Sequence, residues 1–467
     1  MATESEAAAD DAPGRLRDRL RSFAVNRTNH AIFGVLLLKV ASAAVSFLLF
    51  SFAARSMGAD EFGRFAIWFS VISVLSVVAV FGQELMIVRA WNEHHRDHPG
   101  LAKGALIFGF AVTIGLATPV SLAAAGYEIA TDGDAALAVG VGMFLLLHTI
   151  LLFTTHASRA IVGIFNGDTH REITWRVIVI AVLGFALATG ALVTTAEFFR
   201  LAAAGIACSI TIQLLAIHKR LPKAVQDARA QYDAATWLPR SWKMWLSAIM
   251  ESINQYAEVI VVGWLIHPAA AGAYFVAARL ANSFQIAASG INTFGTRHVP
   301  RLYYAGETEE LARVMRMMAI FTAIIVVGGL VCVLVGGKLM LWIFGAQYMD
   351  QYPVLLTLSV GTAAVAAAGP APSILLLTGH EGRYLAVIAA GVALRLCGLF
   401  LLIPLAGVMG AALATAISFL VITIVLNTEC RRLTGLDPSI GRLLRGHASD
   451  PDPIPTSDFS PSTKGST

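Results

Sequence analysis

Apolar blocks of about 20 residues recur along this chain from residue 31 to residue 428, separated by short polar stretches. A run such as Ala31 to Ala54 is long enough to cross a bilayer as a helix. Of the 467 residues 57% are apolar and 14% charged, against about 25% charged in a soluble domain. A closed β-barrel is the other structure that satisfies its backbone in lipid. Its signature, alternating segments of about ten residues, is missing from this sequence. The fold class expected is an all-α integral membrane protein.

The blocks divide into twelve spans: 31–54, 65–88, 105–125, 135–158, 175–195, 198–217, 245–265, 271–295, 317–336, 353–377, 385–404 and 407–428. The fifth and sixth are parted by little more than a turn around Ala196, and the last two by Leu405-Ala406. Nearly 40 apolar residues are far too many for one crossing, so each pair is expected as a hairpin. With the N-terminus inside, 27 Lys and Arg fall on cytoplasmic segments and 4 on external ones. That asymmetry places both termini in the cytoplasm.

The organisation expected is a basic cytoplasmic segment at 1–30, a six-helix lobe at 31–217, a basic cytoplasmic linker at 218–244, a second six-helix lobe at 245–428 and a partly disordered tail at 429–467. Residues 1–30 have no apolar h-region, so no cleavable signal peptide is expected. Even helix numbers make any repeat of the lobes parallel. A weak repeat fits: Phe62-Gly63-Arg64-Phe65 opens the second helix and Ala271-Gly272-Ala273-Tyr274 the eighth.

The informative residues are those that lipid should exclude, since a charge at helix centre costs roughly 3 kcal/mol. Arg395 is about ten residues into its span and Glu258 similarly deep, while Arg279 and Lys39 are each about 12 Å in. Glu251, Asn254, Gln255 and Glu258 stand at i, i+3, i+4 and i+7, on one face of the seventh helix. Helix 8 adds Asn282, Gln285 and Asn292. Such a face must look toward protein or a water-filled path. Two readings stay open: a polar substrate or ion pathway, or an internal pair of Glu258 with Arg279. His148 and His156, eight residues apart, fit either a proton relay or hydrogen-bonded packing, with His156 and Glu258 the candidates for coupling. Gly369-Pro370-Ala371-Pro372 predicts a kink or unwound turn in helix 10.

Nothing competes as catalytic chemistry. The sequence shows no phosphate-binding P-loop, and Cys208, Cys332, Cys397 and Cys430 lack metal-ligand spacing. No cofactor, metal or nucleic acid is expected, and the chain reads as a transporter rather than an enzyme.

Three stretches carry a family resemblance. They are Ala54-Arg55-Ser56-Met57-Gly58-Ala59-Asp60-Glu61-Phe62-Gly63-Arg64-Phe65-Ala66; Val262-Gly263-Trp264-Leu265 with Ala271 to Leu280; and Leu341-Trp342-Ile343-Phe344-Gly345-Ala346-Gln347-Tyr348. In order and spacing they resemble the Wzx-like flippases of polysaccharides and lipid-linked oligosaccharides, in the multidrug/oligosaccharidyl-lipid/polysaccharide exporter superfamily. The resemblance implies two six-helix lobes around a central cavity. It also implies movement of polyprenyl-pyrophosphate-linked glycan (O-antigen, capsule or exopolysaccharide units) from the inner to the outer leaflet. Arg279 matches the family's helix 8 cation, and Lys39 and Arg395 are candidates by chemistry. The amide and carboxylate stripe suits a glycan, as cations suit a pyrophosphate. Membrane lipids, a polysaccharide polymerase and glycosyltransferases are the partners implied.

Two alternatives remain. A multidrug or cation antiporter of the same superfamily would use Glu251 and Glu258 as central ligands. A non-transporting scaffold of a polysaccharide synthesis complex would be indifferent to neutralising Arg279 and Arg395.

Overall fold

The computed structural model describes residues 27–282 and 307–445, with Val299, Leu302 and Ala305 between them. Residues 1–26, Gln285, Asn292 and the tail beyond residue 445 lie outside the described residues. Regular structure among the described residues is entirely helical: α1 Arg27–Ser56, α2 Ala59–Val80, α3 Gln83–His94, α4 Pro99–Thr131, α5 Ala135–Ile161, α6 Ile164–Thr169, α7 Trp175–Thr189 and α8 Thr195–Arg220. Then follow α9 Lys223–Asp227, α10 Ala234–Leu265, α11 Pro268–Ala281, α12 Thr308–Phe344, α13 Tyr352–Ala367, α14 Ala371–Leu377, α15 Glu381–Thr434 and α16 Arg442–Arg445. Eight helical stretches are long and apolar enough to cross a membrane, and each of the twelve expected spans falls mostly on helix where it is described, with breaks inside 65–88, 175–195 and 353–377.

The eight count α15 once, although its 54 residues form two limbs. Gly407 breaks the helix at φ 55° and ψ −135°, in a region that L side chains avoid. A Cβ on Gly398 would lie 3.1 Å from Ala414 Cβ, and one on Gly391 would lie 2.3 Å from Ile422 Cδ1. Residues 16 and 31 apart in sequence cannot touch along a straight helix rising 1.5 Å per residue. The expected hairpin is present, folded at Leu405-Ala406-Gly407. The other hairpin turns at residues 190–194, with Gly190 left-handed, slightly before the expected Ala196.

Two expectations about helix continuity differ in outcome. Helix 10 is interrupted at Gly369-Pro370 as the prolines predict, leaving α13 and α14. The second span, read as continuous over 65–88, is instead broken at Phe81-Gly82, where both residues have positive φ (53° and 69°). The break lets the backbone approach closely: a Cβ on Gly82 would sit 2.4 Å from the Ser241 carbonyl. Phe81 is held in its rare conformation by Trp245, ring centroids 5.1 Å apart. No proline marks this site, so the break is a tertiary effect.

The chain forms two compact units: residues up to 49, 76–184 and 196–245 in one, and 50–75, 185–195 and 246 onward in the other. In the first, Phe153, Trp237, Met86 and Ile87 share a buried core. The basic segment 218–244 is folded onto this unit: Lys103 Nζ donates to the Gln226 and Ala228 carbonyls at 2.6 and 3.0 Å, and Gln231 N to Gly100 O at 2.9 Å.

In the second unit the three sequence markers converge. Arg55 donates from Nε to Ile343 O at 2.6 Å and from Nη2 to Trp342 O at 2.9 Å, two carbonyls in the last turn of α12. Phe62 meets Tyr348 with ring centroids 5.9 Å apart. The repeat glycines touch directly, a Cβ on Gly272 falling 3.1 Å from Gly63 Cα. These markers are a packing junction, which explains why their residue types and order are specific.

Candidate functional site

Helix α10 presents the polar stripe. Glu258 is buried and Asn254 half-buried, while Glu251 and Gln255 are exposed. Arg395, from the first limb of α15, reaches this face with its side chain 4% exposed. Its Nη1 donates to Glu258 Oε1 at 2.7 Å and to Asn254 O at 2.8 Å, and its Nη2 to Asn254 Oδ1 at 2.6 Å. Tyr274 of α11 donates to Glu258 Oε2 at 2.6 Å and lies 3.1 Å from Thr415 Oγ1 on the second limb. The Arg395 guanidinium also sits 4.4 Å from the Phe419 ring centre. Both charges are thereby matched, as low-dielectric surroundings demand.

The internal pairing of Glu258 is therefore real, but its partner is Arg395 rather than the Arg279 considered from sequence. The cause is reach: Arg279 stands one turn beyond Phe275 on α11 and its guanidinium lies among aromatic faces. It is 4.8 Å from the Phe275 ring centre, 5.3 Å from Tyr256 and 5.4 Å from Phe50. Among the described residues no carboxylate pairs with it. Cation–π contacts hold the guanidinium without using its in-plane N–H donors. Asn282 caps α11, its backbone N–H donating to Ala278 O.

Lys39 belongs to the first unit. Its Nζ is 3.9 Å from Asp168 Oδ2, and the lysine side chain is 54% exposed. Arg159 forms a tight ion pair with the same carboxylate. Arg159 Nη1 also donates to His156 Nε2 at 3.1 Å, and His156 Nδ1 lies 2.9 Å from Leu152 O. Because arginine only donates, Nε2 accepts and the imidazole is held neutral with its proton on Nδ1. His148 Nδ1 is 3.0 Å from Ser76 Oγ.

Arg159, Asp168, Arg171 and Glu172 fall in the connection expected at 159–174 and Arg176 at a span end, so none of them stands where lipid should exclude a charge. The signal available is Asp168 and Glu172 four residues apart, with Arg171 between them and Arg176 four residues after Glu172. Within this stretch helix stops at Ile161, resumes after Gly163 at Ile164, and passes into a π turn at His170–Thr174.

A model of the polysaccharide biosynthesis protein family matches residues 31–302, more than half of the chain. The chain belongs to this family. Solved structures of similar fold include an inward-facing multidrug resistance MATE family transporter of the MOP superfamily, with TM-score 0.68, 13% identity and coverage of 86% of this chain and 98% of that one. The lipid II flippase MurJ, in an inward closed conformation, gives TM-score 0.61 at 12% identity, covering 85% and 87%. A MOP superfamily transporter from Pyrococcus furiosus gives 0.58 at 14%, covering 87% and 95%. No curated protein matches in sequence. At such identities the likeness concerns the fold alone, and this member of the polysaccharide biosynthesis family is a multi-pass membrane protein with the fold of MOP-superfamily transporters.

Proposed function

We propose that this chain flips a lipid-linked anionic glycan, of the polyprenyl-pyrophosphate class, from the inner to the outer leaflet by alternating access. The observation that carries this reading is Arg279: a cation at membrane depth, held by three aromatic rings, with no carboxylate partner among the described residues. A guanidinium stationed in this way has its donors ready for phosphate oxygens. Glu251, Asn254 and Gln255 supply acceptors and amides for sugar hydroxyls. Glu258, which an antiporter of cationic drugs would need free, is matched by Arg395.

Deletion of the gene, with recovery by the intact chain, tests the proposal. The expected result is loss of surface polysaccharide with lipid-linked precursor retained on the cytoplasmic leaflet of the inner membrane. Unchanged surface glycan would end the reading. One observation favours multidrug export instead, the exposed carboxylate of Glu251 in a fold shared with a multidrug transporter. That reading expects altered drug sensitivity in the same deletion strain, reversed by the intact chain but not by Glu251→Gln.

A further inference from the structure

The first unit carries a second charged assembly on α1, α5 and the α6–α7 segment. Besides the Lys39–Asp168–Arg159 group, Glu172 gathers three donors. Arg176 Nη1 donates to Glu172 Oε2 at 2.6 Å, Ser42 Oγ to the same atom at 3.3 Å, and Arg171 Nε lies 3.5 Å from Oε1. Lys39 is within electrostatic reach of Glu172, which joins the two groups.

Arg176 stands four residues after Glu172, one helical turn on, and Arg171 is its chain neighbour, so both guanidiniums flank one carboxylate. The group lies at the π turn His170–Thr174, and single π turns within α-helices recur at functional sites.

Charge does not balance here. Lys39, Arg159, Arg171 and Arg176 outnumber Asp168 and Glu172 two to one, and cations stay in excess even with the nearby Glu84, which Arg171 also reaches. Donors remain as well: Arg176 Nε is buried without a partner, and Arg171 spends only Nε. The Arg171 side chain is 28% exposed and that of Lys39 54%, so a ligand can reach both. Uncompensated like charges at the edge of a bilayer call for an anion.

We infer that this assembly is an anion site of its own, built to take a phosphate or diphosphate group through Lys39, Arg171 and Arg176. It deepens the flippase reading, on which it rests for the identity of the natural ligand. In the orientation expected from the charge distribution it stands on the cytoplasmic side, where a lipid-linked substrate would first be engaged. Asp168 and Glu172 position the cations and do not touch the ligand.

The test is equilibrium binding of inorganic pyrophosphate to the full chain in phosphatidylcholine nanodiscs, with hydrogen exchange to locate it. Pyrophosphate is expected to protect amides of 164–176 in the wild type. Lys39→Gln, which disturbs no short ion pair, should raise the Kd at least fivefold, and Arg171→Gln at least tenfold with partial recovery in Arg171→Lys. Arg279→Gln should leave protection of 164–176 unchanged. No binding, or protection elsewhere with affinity indifferent to Lys39, overturns the inference. Competition by phosphatidylglycerol added to the nanodiscs would assign the phosphate to a bilayer headgroup. Preference for a short-chain prenyl pyrophosphate over inorganic pyrophosphate would assign it to a lipid carrier. Because binding needs no transport, unchanged surface glycan in the deletion strain would remove the flippase reading and leave this site standing.

Discussion

Arg395 and Glu258 form a hydrogen-bonded ion pair, 2.7 Å from Nη1 to Oε1, with their side chains only 4% and 10% exposed. Removing one partner of such a pair strands a buried charge, which costs about 3–5 kcal/mol, whereas removing both is far milder. Arg395→Met should therefore lower thermal stability in detergent strongly, and adding Glu258→Gln should restore much of the loss. A double variant whose loss equals the sum of the two single losses would mean that the two residues act independently.

The junction of Gly63 and Gly272 gives a second prediction. A Cβ on Gly63 would fall 2.0 Å from the Pro268 carbonyl oxygen, a backbone atom that cannot step aside. Gly63→Ala should reduce the yield of folded protein severely, because close helix approach in lipid depends on small residues. Gly58→Ala, with nothing within 4 Å of its Cβ, should express normally. Fluorescence-detected size exclusion separates these outcomes.

Arg55 is expected to be irreplaceable by lysine. Its fork serves two carbonyls, Trp342 O and Ile343 O, while the guanidinium lies 5.2 Å from the Trp342 ring centre. A lysine amine cannot reproduce both bonds and the stacking. Arg55→Lys should lose about 1–3 kcal/mol, the scale of a charged hydrogen bond, seen as a lower midpoint of thermal unfolding.

Gly82 combines a φ of +69° with a backbone neighbour at 2.4 Å from its would-be Cβ. Gly82→Ala should destabilise by more than the roughly 1–2 kcal/mol of a left-handed residue alone. Gly407→Ala, at φ +55° and ψ −135° with open space around it, should cost about 1–3 kcal/mol from backbone strain alone. Comparing the two by thermal unfolding separates backbone strain from steric conflict.

Much of this was legible before any coordinates, and the reason is the solvent. Lipid forces each span into helix, so the blocks, the Leu405-Ala406 hairpin and the Gly369-Pro370 break follow from local chemistry. The Phe81-Gly82 break does not, because it exists to meet Ser241, a residue 159 positions later in the chain. For the site, the i, i+3, i+4, i+7 stripe identified Glu258 and Asn254, but not which arginine answers them. Arg395 does so because α15 folds back as a hairpin and brings its first limb to α10. The Glu172 group is not legible in the same way, because its charges fall in or beside the polar stretch between two apolar blocks, where lipid gives no reason to single out a charge.

The central claim is that Arg279 is a substrate cation, and one measurement addresses it most directly. Surface polysaccharide is quantified in a deletion strain carrying Arg279→Gln, Arg279→Lys or the intact chain, each at matched membrane abundance. The account predicts no surface glycan with Arg279→Gln, with trapped lipid-linked precursor, and partial recovery with Arg279→Lys. Full surface glycan with Arg279→Gln at normal abundance would contradict it.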